Sequence, residues 1–85
     1  MRNSIESEII GLIGRFVGRV GDHWLQEYMV DAEHGEWGVA FENLCVQLQE
    51  FQVLISQDEY QLIEDIGKRM ALPETLWRRL KRTPS

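Results

Sequence analysis

The side chains of this chain that can act in acid–base, nucleophilic or metal chemistry are two imidazoles, one thiol and fourteen carboxylates. His23 and His34 stand three turns apart on a helical reading, too far to share a metal by local spacing. Neither lies in a Cys/His spacing of the zinc type, so no metal site and no cofactor are expected. His34 precedes Gly35 and suits a helix C-terminus, where a partly cationic ring complements the dipole. Cys45 falls inside an apolar helical stripe and reads as a small core residue rather than a nucleophile. No serine stands in a Gly-x-Ser-x-Gly setting, and no glycine-rich phosphate loop follows a strand. The acid pairs Glu27/Asp31 and Asp58/Glu59 can share a proton only inside a pocket, which nothing in the pattern implies. The chain is not expected to be an enzyme.

The carboxylates are more informative as a group. From Val20 to Gly67 there is no lysine or arginine, and the acids are Asp22, Glu27, Asp31, Glu33, Glu36, Glu42, Glu50, Asp58, Glu59, Glu64 and Asp65. All nine cations lie in the two flanks, and the net charge is −5. Like charges crowded on a small body weaken the compact state, whereas a field of one sign steers and holds a partner of the opposite sign. The pattern therefore admits two readings: an acidic docking face for a basic surface, or a solvated helical surface kept soluble by charge.

The elements that carry these residues are helical. At 85 residues the chain is expected to form one domain, residues 1–85, with a thin core. Ile5, Ile9, Leu12, Ile13, Phe16, Val17 and Val20 make a first helical face, capped by Asn3 with Glu6 or by the Ser4 hydroxyl. Gly21-Asp22 predicts a break with Asp22 as N-cap, and Trp24, Leu25, Tyr28, Met29 and Ala32 predict a second face that Gly35 ends. Trp37, Ala40, Phe41, Leu44, Cys45, Leu48 and Phe51 form a third. Gln52 to Ile55 reads as an extended connector. Ser56 and Glu59 form a capping box for a fourth helix through Leu62, Ile63, Ile66 and Met70. Pro73 opens a short fifth helix with Leu76, Trp77 and Leu80, and Thr83-Pro84-Ser85 is a tail. No alternating runs joined by hairpin turns occur. The expected fold is all-α, a single compact bundle of four to five short helices. No stretch is apolar enough for a membrane span, the N-terminus does not read as a signal peptide, and the lone cysteine fits a reducing compartment; a cytoplasmic protein is expected.

Gly11, Gly14 and Gly18 share one stripe, with Gly21 one step beyond. Either they form a smooth surface for close approach, or the helix ends earlier and the later glycines mark its terminus. Trp24, Trp37 and Trp77 read as core residues. Trp24 and Tyr28 also stand as anchors at the rim of the acidic face, since interface hot spots favour such residues. Lys68, Arg69, Arg78, Arg79, Lys81 and Arg82 form a basic end that complements a helix dipole and balances the acidic body. With no aromatic platform or base-reading motif beside it, direct nucleic-acid binding is not expected.

The block His34-Gly-Glu-Trp-Gly-Val-Ala-Phe-Glu-Asn-Leu-Cys45 resembles that of MafI-type immunity proteins. So do the spacing to Ile55-Ser-Gln-Asp-Glu-Tyr60 and the run Leu62-Ile-Glu-Asp-Ile-Gly67 ahead of Met70. Residues 20 to 80 carry the resemblance, and Gly11-Leu-Ile-Gly-Arg15 adds a less specific likeness. Family members often place an acid close after the leucine of the third helix; here Cys45-Val46-Gln47 occupy that stretch. The resemblance implies a small helical antitoxin, encoded beside a bacterial polymorphic toxin of the contact-dependent inhibition kind, that binds its cognate toxin domain. Such toxins are often nucleases, EndoU-like ribonucleases among them, whose clefts are basic.

Helix phase then nominates the contact residues. On the third helix Glu36, Asn43, Gln47 and Glu50 fall on one outer flank, with Glu42 and Gln49 on the other. On the second the outer positions are His23, Gln26, Glu27, Val30 and Glu33, with Asp31 at the boundary; on the fourth they are Asp58, Gln61, Glu64 and Asp65. If helices two and three form a hairpin, Glu27, Asp31, Glu33, Glu36 and Glu42 merge into one patch. Asp58 and Glu59 come next, with Trp24 and Tyr28 as anchors. Asp22, Glu36 and Glu59 have alternative duties at helix starts. The competing readings are a helical adaptor or homodimer, joined by acidic middle and basic tail, and a nucleic-acid-binding module using the tail.

Overall fold

A computed structural model describes residues 4–84. Four α-helices, α1 (Ser4–Gly14), α2 (Asp22–Glu33), α3 (Trp37–Glu50) and α4 (Gln57–Arg69), are followed by a 3-10 turn at Glu74–Leu76. The fold is all-α. The capping role expected of Asn3 lies outside the described residues, as does Ser85. No described helix is long and apolar enough to cross a membrane.

The four apolar faces converge on one core. Ile9, Leu12, Ile13 and Phe16 from the first segment meet Leu25, Tyr28 and Ala32 of α2, and Ala40, Phe41, Leu44, Cys45 and Leu48 of α3. Tyr60, Ile63 and Ile66 of α4 complete it, with Ile55, Trp77 and Leu80 from the irregular segments. Each fully buried leucine or isoleucine contributes roughly 1.5–3 kcal/mol by leaving water. α2 packs most extensively against α3, so the expected hairpin forms.

Helix one is shorter than its apolar periodicity suggests. It ends at Gly14, and Gly18 takes φ of 88°, which places Val17 at the surface while Val20 folds back into the core. A Cβ at Gly11, Gly14 or Gly18 would meet nothing within 4 Å, so no internal close approach explains the stripe. At Gly67 the reason is internal. A Cβ there would overlap the six-membered ring of Trp77, so the missing side chain admits the tryptophan against α4.

Helices α2, α3 and α4 all end in the same reciprocal pattern of backbone bonds. Glu36 N–H donates to the Asp31 carbonyl at 2.8 Å and Gly35 N–H to Ala32 at 3.2 Å. Val53 donates to Leu48 at 2.9 Å and Gln52 to Gln49 at 3.1 Å, while Leu72 donates to Gly67 and Ala71 to Lys68, both at 3.0 Å. Each is a Schellman termination, which needs one left-handed residue. Gly35 supplies it at φ 83°, but Gln52 and Ala71 adopt φ 50° and 56° without being glycine.

Three local expectations are corrected. Gly21, not Asp22, holds the N-cap position of α2, and Asp22 is its first helical residue with no side-chain cap bond. The fifth helix is a single 3-10 turn, because Trp77 and Leu80 reach the core from an irregular chain. The C-terminal segment is no free tail: Ile55 N–H donates to Lys81 O and Thr83 N–H to Ile55 O, each at 2.9 Å.

Candidate functional site: the face shared by the second and third helices

The sharp turn at His34-Gly35-Glu36 folds α3 antiparallel to α2 and fixes which side chains meet along the seam. Trp24, Glu27, Tyr28 and Asp31, one stripe of α2, face Asn43, Val46 and Gln47 of α3 across a shallow groove of about 270 Å³. A second groove of about 300 Å³ adjoins it, lined by Arg19, Val20, Gly21, Trp24, Gln47, Phe51 and Val53. Trp24 and Gln47 belong to both. The two depressions thus meet at these two side chains and make a trough in two halves, apolar but for Arg19 where α3 terminates and acidic towards the middle of α2.

Apolar side chains are open in both halves. Trp24 is 42 % exposed, Val46 51 % and Phe51 65 %. The expectation that Trp24 and Phe51 face the core is corrected. Trp24 lies on the seam side of α2, with its ring edge-on to His23 at 5.0 Å between centroids. Phe51 is the C-cap of α3, and the chain turns away at Gln52 before the phase of the helix can bury it. Tyr28, by contrast, is not an exposed anchor. It is buried and donates its hydroxyl to Gln47 Oε1 at 3.4 Å; burial and the nearby Glu27 raise its pKa. Gln47, expected on an outer flank, is only 9 % exposed.

The acids divide into two populations. Three of the four in α4 are paired: Glu59 with arginines from the α1–α2 connection, Glu64 and Asp65 with the cations of the helix's own last turn. Glu59 is 5 % exposed and accepts from Arg19 Nη2 at 2.5 Å and Nη1 at 3.0 Å, with Arg15 at 3.9 Å. It also closes the capping box, accepting from Ser56 N–H at 2.9 Å while its own N–H donates to Ser56 Oγ at 3.0 Å. The guanidinium of Arg19, followed by burial opposing it and by the Ser56 amide, holds the Glu59 carboxyl below its usual range. Glu64 pairs with Lys68 at 3.9 Å, and Asp65 with Arg69 at 2.9 Å; Arg69 also holds Glu8. Glu59 is thus withdrawn from the set of partner-facing acids: its carboxylate is committed inside the fold. Asp58 remains exposed on the first turn of α4.

The acids of α2 and α3 have no such partners. Among the described residues Asp31, Glu33, Glu36 and Glu42 make no ion pair, and Glu27 meets only the exposed His23 imidazole, at 3.7 Å. Glu27 and Asp31 share the trough, and both also line a shallow depression with His23, Gln26 and Val30 on the outer face of α2. Glu33 and Glu36 are exposed at either side of the hairpin turn, and Glu36 holds the N-cap position of α3 without a side-chain cap bond. Glu42 is half-buried beside Cys45, whose thiol burial and this carboxylate push up to about 12. Among the described residues no group of three or more potential metal ligands comes together.

Phe51 and Val46 are the site residues that helix phase alone did not nominate, whereas Gln47, placed on the outer flank, proves to be buried in the seam. The signal was present in Val46, which falls at the centre of the outward arc of α3 with Asn43 and Glu50 beside it. Comparison of the chain with protein-family models, with curated proteins and with solved structures finds no match in any of the three.

Proposed function

We propose that this protein is an immunity protein that binds a cognate toxin domain of basic surface, a ribonuclease in the first instance, and blocks it through the α2–α3 face. One observation carries the reading. Three of the four acids of α4 pair with cations, yet among the described residues no cation reaches Glu27, Asp31, Glu33 or Glu36 apart from the His23 imidazole near Glu27, and Glu27 and Asp31 line one groove with the exposed Trp24 and Val46. Glu27 and Asp31 are like charges four residues apart on one helix, an arrangement that weakens a helix by a few tenths of a kcal/mol. A surface that keeps such a pair beside apolar side chains has the composition of a recognition patch: charges for steering, an aromatic for grip. The resemblance to MafI-type immunity proteins supplies the class of partner, and a phosphate-binding cleft supplies the matching positive field.

The test is to mix the purified protein with the C-terminal domain of the polymorphic toxin encoded beside it, and to follow complex formation and RNA cleavage. The expected result is a complex that forms rapidly at low salt, suppresses cleavage at equimolar ratio and weakens as salt rises. No complex at micromolar concentration and low salt would remove the proposal.

A second reading rests on Arg79 and Lys81. Neither makes an ion pair among the described residues, and both line a groove with Leu48, Gln49 and Gln52. That groove suits the acidic face of a second copy, and sedimentation across a salt series separates this homodimer from a monomeric inhibitor.

A further inference from the structure

Gln47 is nine-tenths buried, and among the described residues its side chain makes one hydrogen bond, which its Oε1 accepts from Tyr28. Its amide nitrogen donates to no acceptor among the described residues, although Gln47 lines both halves of the trough. That nitrogen is the part of the side chain that still reaches the trough, so it is free to donate to a ligand seated there. On one side of this donor lie Trp24, Phe51 and Val53; on the other lie Glu27 and Asp31. Trp24 and the midpoint between Glu27 and Asp31 lie on one helix stripe, roughly 7.5 Å apart along its axis.

We infer that the trough receives an extended cationic segment of the partner by three contacts in a fixed order. A bulky apolar side chain seats against Trp24, Phe51 and Val53. A main-chain carbonyl of the segment accepts from the Gln47 amide. A guanidinium or ammonium group lies between Glu27 and Asp31. At roughly 3.3 Å per residue an extended chain covers that distance in about two residues, and because successive side chains point to opposite faces, an apolar residue and a cation that both enter the trough stand two positions apart. The inference deepens the proposed function and rests on its assignment of the α2 acids to a partner; it adds the form of the segment and its spacing rule.

The test uses the full chain as bait for a displayed library of random linear heptapeptides, selected at low salt. The expected product is a consensus pairing Arg or Lys with a large apolar residue two positions away. Phe51→Ser, an exposed change that leaves the far-UV circular dichroism native, should abolish the apolar preference while keeping the cation. Glu27→Gln with Asp31→Asn should do the reverse. In a Tyr28→Phe background, which strands no hydroxyl, Gln47→Leu should weaken a selected peptide about tenfold, the scale of one hydrogen bond. Cationic peptides without a spaced apolar residue would overturn the three-point trough and leave the acidic-face reading standing. Apolar peptides without cations would overturn both. Absence of any enriched peptide would overturn the trough alone, because complex formation with the toxin domain is scored separately.

Discussion

At the scale of single residues, Glu59 shows how tertiary structure reassigns a charge. Its sequence setting offers two duties, capping and partner binding, and the fold gives it to the first by placing Arg19 against it. Arg19 in turn bonds the Leu54 carbonyl at 3.2 Å and the Arg15 carbonyl at 2.7 Å, and stacks over Phe16 at 4.6 Å. One guanidinium thus ties the α1–α2 connection to the start of α4. Because the folded pKa of Glu59 lies below its unfolded value, near 4.3 for a free glutamate, the unfolded chain binds more protons in that range. The pair's contribution is therefore complete at neutral pH and is lost as pH falls below about 4. Chemical denaturation at a series of pH values should show stability dropping across that window. Glu59→Gln should flatten the drop and lower the neutral-pH stability by roughly 1–3 kcal/mol, since Arg19 loses its counter-charge but stays partly solvated.

Between residue and fold, the helices were legible in the sequence wherever periodicity and caps agreed. The Ser56–Glu59 box, the glycine after His34 and the apolar stripe of α3 each mark an element that forms at the expected place. What escaped reading were the turns made without the usual residue. Gln52 and Ala71 enter the left-handed region only because the helix ends bind them from both sides, and no side-chain signal marks that. The exposure of Phe51 follows from the first of these turns, so half of the apolar end of the site was hidden with it. Ala71→Gly should relieve the strained termination of α4 and raise stability by about 0.5–1 kcal/mol, less the extra freedom glycine gives the unfolded chain. Thermal unfolding measures this: a lower midpoint would mean that the alanine methyl group makes a contact outweighing the strain.

For the molecule as a whole, the acidic middle of the sequence does not become a uniformly acidic body. Folding brings Arg15 and Arg19 to Glu59, the last turn of α4 pairs Glu64 and Asp65 with its own Lys68 and Arg69, and the unpaired negative charge is left on the α2–α3 hairpin, where the open aromatic and valine side chains also lie. An acid kept only for solubility should be replaceable without consequence, whereas an acid kept for a partner against the interest of the helix should trade binding for stability. The variant Glu27→Lys with Asp31→Lys separates these cases. The deciding measurement is its affinity for the adjacent toxin domain beside that of the unaltered chain, at one fixed low salt concentration, with thermal midpoints recorded on the same samples. Affinity should fall at least a hundredfold, about 2.7 kcal/mol for two steered charge contacts, while the midpoint holds or rises. Equal affinities for the two proteins would contradict the assignment of this face to a cationic partner.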